Sequence, residues 1–342
     1  MKRSVFLVFF FMISLRVVAQ PGYTLSGYVL DDLQGKPMPN VNVYISNSLL
    51  GAMTDESGYY KITGIHKGEF EVVASLVGFE SQSHIVFFDD VKQLKKDFRL
   101  NPKIYVLDGV SITARDPKEW RRNYGLFREL FLGKSAFANE CEIENKELID
   151  FKWEGPDVLT ASAKAPLIIV NNALGFRLNC ILEKFRWDTA NKKLNYIVKQ
   201  GFSLLKPLDM KDSLKWKRNR IKAYEYSIER FLGDLISKDY YKDGYKIFID
   251  PVPVVENNTS MNSERISSEE LVYKSNNDEY KLSFRNFLRI EYDHETTWLR
   301  MLYPEITMDT KGNARELIPF QVYGAWSTQG VANMLPQYFE AE

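Results

Sequence analysis

Cysteine and histidine are nearly missing from this chain of 342 residues: Cys141 and Cys180 of the one, His66, His84 and His294 of the other. Two cysteines cannot build a disulfide framework. In an oxidising compartment Cys141 and Cys180 either bridge or stay as two buried thiols. Three histidines leave little for a zinc hydrolase, which needs three protein ligands and an open position for water. His66 and Glu69 have a ligand-like spacing, but they sit on a predicted strand turn. His294-Glu295 opens like the HExxH helix motif, and Trp298 stands where its second histidine belongs. No metal or cofactor is implied. An excess of one charge sign is also missing, with 45 basic and 45 acidic side chains, so no net field draws nucleic acid or repels a membrane. Phosphate-cradling glycine loops and the G-x-S-x-G elbow are absent, and neither cysteine has a histidine close in sequence to activate it. After the opening stretch no apolar run reaches the 18 residues of a transmembrane helix. Acidic pairs such as Asp89-Asp90 and Glu269-Glu270 read as solvated surface.

What is present begins with a leader. Met1-Lys2-Arg3 supplies positive charge, Val5 to Leu15 an apolar run too short to span a bilayer, and Val17-Val18-Ala19 small residues ahead of Gln20. This predicts a secretory signal peptide over residues 1–19, cut after Ala19 or Gln20. The remaining length exceeds one usual core and predicts two domains.

The most legible stretch is Gly51 to Ser81. Thr54-Asp55-Glu56-Ser57-Gly58 is a turn cluster, Tyr60, Ile62 and Ile65 follow in near alternation, Lys67-Gly68 turns again, and Phe70, Val72, Ala74 and Leu76 recur at period two. Gly reaches positive φ freely and Asp bonds its own backbone, so the chain reverses there without strain. With strands at Tyr23–Leu30, Val41–Ile45, Ile85–Phe88 and Phe98–Leu100, the spacing predicts a β-sandwich over residues 22–102. Ile104 to Ala114 reads as a connecting strand within a linker at residues 103–115.

From residue 116 the pattern changes to mixed α and β. Asp116 can cap and Pro117 fits the first helical position. Trp120, Tyr124, Phe127, Leu130 and Phe131 then recur at helical spacing to Gly133, as a core-facing stripe. Phe176–Leu182 and Leu194–Val198 alternate about a turn at Asp188–Asn191, which predicts a hairpin. Asp212 or Ser213 is expected to cap one helix carrying Ile221, Tyr224, Ile228, Phe231, Leu232 and Leu235. Strands are expected at Tyr245–Ile249 and through Leu271–Leu302, and a polar loop at Asn257–Ser268. The fold class expected is α+β: a sandwich followed by a mixed domain over residues 116–342.

GYVLDDLQGKPMPNVNVYI, TDESGYYKI, GEFEVVASLVGF and the closing DFRL resemble the carboxypeptidase regulatory-like domain, a transthyretin-like sandwich abundant in exported Bacteroidota proteins. The resemblance runs from Tyr23 to about Pro102. It implies a module without catalytic residues, appended to peptidases, outer-membrane receptors and other proteins. A second resemblance, to the uncharacterised C-terminal part of standalone Bacteroidota proteins bearing that domain, rests on six pieces. They are FLG at 131–133, Cys141 with Ile143 and Asn145, PLIIVNNALGF at 166–176, Asn219-Arg220 with Ala223-Tyr224, Phe231-Leu232, and YGAW with VANMLP near the end. That family commonly carries a Gly and a His where this chain has Tyr226 and Arg230.

One cluster invites a ligand. Lys215, Lys217, Arg218, Arg220 and Lys222 interleave with Trp216 at a helix start, where the dipole disfavours cations. Trp216 could stack on a sugar or anionic partner while Arg220 donates to it; the structural alternative puts Trp216 in the core and Arg220 on an internal carboxylate. The function expected is an exported, non-catalytic envelope protein, periplasmic or at the outer membrane, binding an envelope protein or glycan. A hydrolase of envelope or dietary polymers is the alternative, and a zinc carboxypeptidase the disfavoured third.

Overall fold

The computed structural model describes residues 22–103, 116–252, 264–276 and 278–339. The expected leader, the connecting strand at 104–114 and most of the loop at 257–268 lie outside them.

Eight strands make the first unit: β1 (Tyr23–Asp31), β2 (Asn42–Ile45), β3 (Gly51–Met53), β4 (Tyr59–Ile65), β5 (Gly68–Ser75), β6 (Gln82–Phe88), β7 (Gln93–Lys95) and β8 (Phe98–Leu100). One sheet runs β4-β1-β7, with β8 on the far half of β1, and the other runs β3-β2-β5-β6. This is a sandwich, because alternate residues of both sheets, among them Leu25, Val29, Val43, Ile65, Phe70 and Val72, meet in one hydrophobic cluster. The turn cluster works as its composition predicts: Asp55 Oδ1 accepts the backbone N–H of Ser57 at 2.9 Å and of Tyr59 at 3.0 Å. Thr54 Oγ1 accepts from Val41 N at 2.9 Å and donates to Met38 O at 2.6 Å.

Next come α1 (Pro117–Leu132), α2 (Ala136–Asn139), β9 (Cys141–Ile143), β10 (Ile149–Glu154), β11 (Val158–Ala163), β12 (Leu167–Asn171), β13 (Phe176–Asp188) and β14 (Lys193–Leu204). Asp116 caps α1 by accepting from Lys118 N at 2.9 Å. Strand β13 organises a six-stranded sheet: β14 pairs along its length, and on the other edge β12 takes its first part and β11 its last. Phe127 and Phe131 of α1 pack onto this sheet with Phe176, Leu178 and Phe185.

Then follow α3 (Met210–Glu225), α4 (Ile228–Ser237), β15 (Lys246–Asp250), β16 (Glu264–Arg265), α5 (Ser268–Leu271), β17 (Val272–Asn276), β18 (Glu279–Leu282), β19 (Phe287–Tyr292), β20 (Glu295–Met301), β21 (Ile306–Met308) and β22 (Phe320–Gly324). The sheets β16-β15-β19-β20-β22 and β17-β18-β21 share a third cluster with Phe231, Leu232 and Leu235 of α4. The single helix expected over this region is two helices. Asp209 caps α3 through Asp212 N, and Ser227 restarts the chain as α4 by accepting from Arg230 N at 3.1 Å. A side chain that can cap competes with continuation of the helix. No helix among the described residues is long and apolar enough to cross a membrane.

The three clusters are tied together by backbone. Ser48 bridges Gly201 of β14, and a Cβ on Gly201 would come within 2.8 Å of the Tyr44 ring. Close approach of the sandwich edge to β14 therefore requires glycine there. On the other side Glu69 N donates to Arg315 O at 2.9 Å, and Arg315 pairs with Glu279. The segment after β22 threads between the units: Asn171 Nδ2 donates to Ala332 O at 2.9 Å, and Tyr338 stacks on His66, ring centres 3.9 Å apart.

Candidate functional site

Trp216 and Arg220, weighed above as ligand contacts or as structure, hold a turn, and Trp216 is buried as the structural alternative had it. Between β12 and β13 the chain reverses through Asn171–Gly175, with Asn171 Oδ1 accepting from Ala173 N and Leu174 N at 3.1 and 3.0 Å. Gly175 is left-handed at φ 70°, and a Cβ there would overlap the Trp216 ring. Four successive carbonyls of this turn accept from α3. Trp216 Nε1–H donates to Asn172 O at 2.9 Å, Asn219 Nδ2 to Ala173 O at 2.8 Å, Arg220 Nε to Leu174 O at 2.7 Å, and Arg220 Nη2 to Gly175 O at 3.2 Å. The guanidinium also lies 4.2 Å over Phe176, and burial pulls its pKa down. The partner of Arg220 is backbone, not the internal carboxylate weighed above: Leu174 O, and Gly175 O, which also accepts from Leu205 N at 3.0 Å. Of the neighbouring cations, Lys215 pairs with Glu140, while Lys217, Arg218 and Lys222 are exposed.

Of the two alternatives for Cys141 and Cys180, a bridge or two buried thiols, the structure has the second. Both side chains are buried free thiols. Cys141 opposes Asn171 and Cys180 opposes Leu167, on opposite edges of β12. An intervening strand puts them roughly 10 Å apart across the sheet and a four-residue offset roughly 13 Å along it, far beyond disulfide reach. Burial raises both thiols to about 12, which makes them inert rather than nucleophilic. The histidines stay apart as well: His66 stacks on Tyr338 and His84 tilts against Phe98. Among the described residues no three His, Cys, Asp or Glu side chains converge.

What converges is a set of amides. A cavity of about 360 Å³ lies where the three hydrophobic clusters meet, walled by Asn47 of the sandwich, Gln200 of β14, the α3–α4 junction, the chain between β21 and β22, and residues 326–339. Six carboxamides line it: Asn47, Gln200, Asn313, Gln329, Asn333 and Gln337. Gln200 is 1% exposed; its Nε2 faces Met334 Sδ at 2.8 Å, a weak acceptor, and no protein group bonds its Oε1. Gln337 Oε1 is buried and without a protein partner in the same way. Backbone fixes both residues on Asn47, whose N–H donates to Gln200 O and whose C=O accepts from Gln337 N, each at 2.6 Å. Trp326, buried at 8% exposure, contributes an aromatic wall with Tyr224 and Phe339. A second cavity of about 560 Å³, lined by His66, Asp309 and Lys311, shares Tyr224, Asn313, Tyr338 and Phe339 with the first. Sequence reasoning missed this site, since Asn47, Gln200 and Gln337 share no spacing; the Ala223-Tyr224, YGAW and VANMLP segments touch it without marking it as a site.

The arrangement is that of a regulatory-type sandwich joined to a mixed α and β region that buries a polar cavity against it. Residues 25–112 match the family model of the CarboxypepD_reg-like domain. No curated protein matches the chain. Among solved structures, similarity extends to a cohesin–X-dockerin complex of Acetivibrio cellulolyticus, at 18% identity over 23% of this chain and TM-score 0.21, where the chain spans 57% of the matched length. It extends to a 5-hydroxyisourate hydrolase of Klebsiella pneumoniae, at 18% identity over 24% of this chain and 92% of that one, TM-score 0.22. A proposed carbohydrate binding protein of Bacteroides uniformis is similar at 9% identity over 89% of this chain and 100% of that one, TM-score 0.21. Likenesses this weak assign no ligand and no activity to this chain.

Proposed function

We propose that this is an exported cell-envelope protein that binds a small ligand without transforming it. In this reading the regulatory-like sandwich is a bracket, and the ligand sits in the cavity it closes with β14 and the segment 326–339. One observation carries the reading: a cavity of about 360 Å³ closes where Asn47 of the sandwich, Gln200 of β14 and the segment 326–339 meet, with carboxamides set beside Trp326, Tyr224 and Phe339. Specific pockets place a few polar groups in a largely apolar wall of roughly 300–1,000 Å³. The leader supports export, and the expected envelope location follows from it.

The hydrolase alternative retains one foothold, because Glu229 and Glu316 both line the cavity. Both carboxylate oxygens of Glu316 accept from Thr307 N, at 3.0 and 3.1 Å, which ties that group to structure. The deciding experiment is a thermal-shift panel of neutral, anionic, cationic and apolar small molecules on the exported protein and on Leu317→Trp, which fills the cavity from a half-buried wall position. Stabilisation by one class, lost in Leu317→Trp without chemical change of that compound, is the expected result. Turnover that disappears in Glu229→Gln supports the hydrolase instead.

A further inference from the structure

We infer that the end of β14 and the outer face of α3 form a docking surface for a bilayer of anionic phospholipid, in which Leu208, Met210 and Leu214 enter the headgroup region and lysines surround them. The junction cavity takes no part in it.

Exposure singles out this surface. Leu204 is 60% exposed, Leu208 95%, Met210 78% and Leu214 62%, four large apolar side chains within one short stretch of chain. They stand outward because the opposite side of the stretch is held. Leu205 N donates to Gly175 O at 3.0 Å, and Trp216, Asn219 and Arg220 of α3 donate to the same 172–175 turn. At about 3.6 residues per turn, a helix clamped by those three positions presents Met210, Lys211, Leu214, Arg218 and Lys222 on its other face. The loop before it is fixed by its own acids: Asp209 Oδ1 accepts from Asp212 N at 2.9 Å, and Asp212 Oδ2 accepts from Leu208 N at 3.3 Å. Leu208 is therefore presented by a held turn rather than by a loose one.

Charge then identifies the partner. Residues 204–222 carry Lys206, Lys211, Lys215, Lys217, Arg218, Arg220 and Lys222 against Asp209 and Asp212 alone, in a chain whose charges balance as a whole. Lys215 is paired with Glu140 and Arg220 is engaged by the turn. The other five cations are exposed and form no ion pair among the described residues. The acid on the outer face of α3, Glu225, stands at its far end. Apolar side chains ringed by cations match an interface that is anionic at its surface and apolar beneath. A second copy of the chain is a poor occupant, because a two-fold interface would set these cations against themselves. An acidic protein would favour Arg, whose fork matches a carboxylate, whereas four of the five free cations are Lys, point charges on long stems. Such stems lie along apolar surface while the ammonium reaches the phosphate level.

The test mixes the exported protein with vesicles of phosphatidylglycerol and phosphatidylethanolamine, or of phosphatidylcholine alone, and measures the fraction that sediments with lipid as salt is raised. Sedimentation with the anionic vesicles only, weakening with salt, is expected. Lys217→Glu with Arg218→Glu should weaken it by roughly twentyfold or more, since each cation at such a surface contributes about fivefold. Leu208→Ser with Leu214→Ser should weaken it by roughly tenfold through lost insertion. Leu33→Ser with Lys36→Glu makes the same changes on an exposed turn of the sandwich and should leave binding intact. All three variants should melt with the wild type, because every altered side chain is exposed. Wild type that stays in solution beside anionic vesicles at low salt overturns the proposal, as does binding that none of the variants weakens or that the sandwich variant weakens equally. Loss in the charge variant with full binding in the leucine variant overturns insertion and leaves adsorption by charge. Binding of polyglutamate without binding of vesicles assigns the surface to an acidic protein instead.

Discussion

Cys141 and Cys180 lie on opposite edges of the same strand, β12, one facing Asn171 and the other Leu167. Burial, the dominant influence on each, lifts both thiols to about 12. The folded, unreduced exported protein should therefore react negligibly with a thiol reagent at pH 8, and two thiols per chain should titrate after unfolding. Reactivity of the folded form should rise only as pH approaches 12. Fewer than two thiols in the unfolded protein would show that a bridge forms after all.

The clamp of α3 on the 172–175 turn makes Trp216 and Arg220 stability determinants. Trp216→Ala should cost about 3–5 kcal/mol, as a buried aromatic truncation does, and Arg220→Ala about 1.5–3 kcal/mol from its bonds to two carbonyls. Gly175→Ala should destabilise too, because φ is 70° and the new methyl meets the Trp216 ring. Denaturant unfolding of the three variants, alongside titration below their melting points with whichever compound class stabilises the wild type, separates the roles. Affinity should be unchanged where the protein remains folded; a selective loss of affinity in Arg220→Ala would restore it as a ligand contact.

Much of the sandwich was readable because its information is local. Period-two apolar residues, Asp55 with its own N–H partners and Gly58 at φ 74° all act within a few residues of themselves. The hairpin β13/β14 and the Asp116 cap were readable for the same reason. The break at Tyr226–Ser227 was not, because apolar spacing continues across it while one serine decides the outcome. Nor was the partner of Trp216, which lies 44 residues away, nor the cavity, whose walls come from positions as distant as 47 and 337. Residues that act through tertiary contact leave no period in the sequence.

Lys199 joins the sandwich to the central sheet, pairing with Glu71 at 2.8 Å and Glu183 at 2.6 Å. Burial alone would lower its pKa, but the bonds to Glu183 and Glu71 outweigh it and the folded value is raised above 10.5. A raised folded pKa means stability that is fully present below 10.5 and lost as pH climbs through the folded value. Wild type should thus lose melting temperature above pH 10.5 more steeply than Lys199→Met, measured against the same buffers. Parallel curves for the two proteins would show that the pair contributes nothing measurable.

Tyr338 fastens the last described segment to the sandwich, and it does so from an unfavourable backbone. Its φ is 57°, a left-handed conformation that L side chains rarely hold without compensation. The compensation is visible: the ring stacks on His66 at an interplanar angle of 5°, packs against the sandwich cluster, and its hydroxyl reaches Lys67 O at 3.5 Å. Neighbouring Gln337 lines the cavity, so releasing Tyr338 should loosen that wall. Tyr338→Gly relieves the backbone and removes the ring, whereas Tyr338→Ala removes the ring and keeps the strain, so Ala should be the less stable by about 0.5–1 kcal/mol. Both should raise amide exchange across residues 331–339, with exchange in β13 and β14 unchanged. Equal exchange in wild type and both variants would mean that the segment is held by Asn171 and Asn47 alone, and the latch assigned to Tyr338 would be wrong.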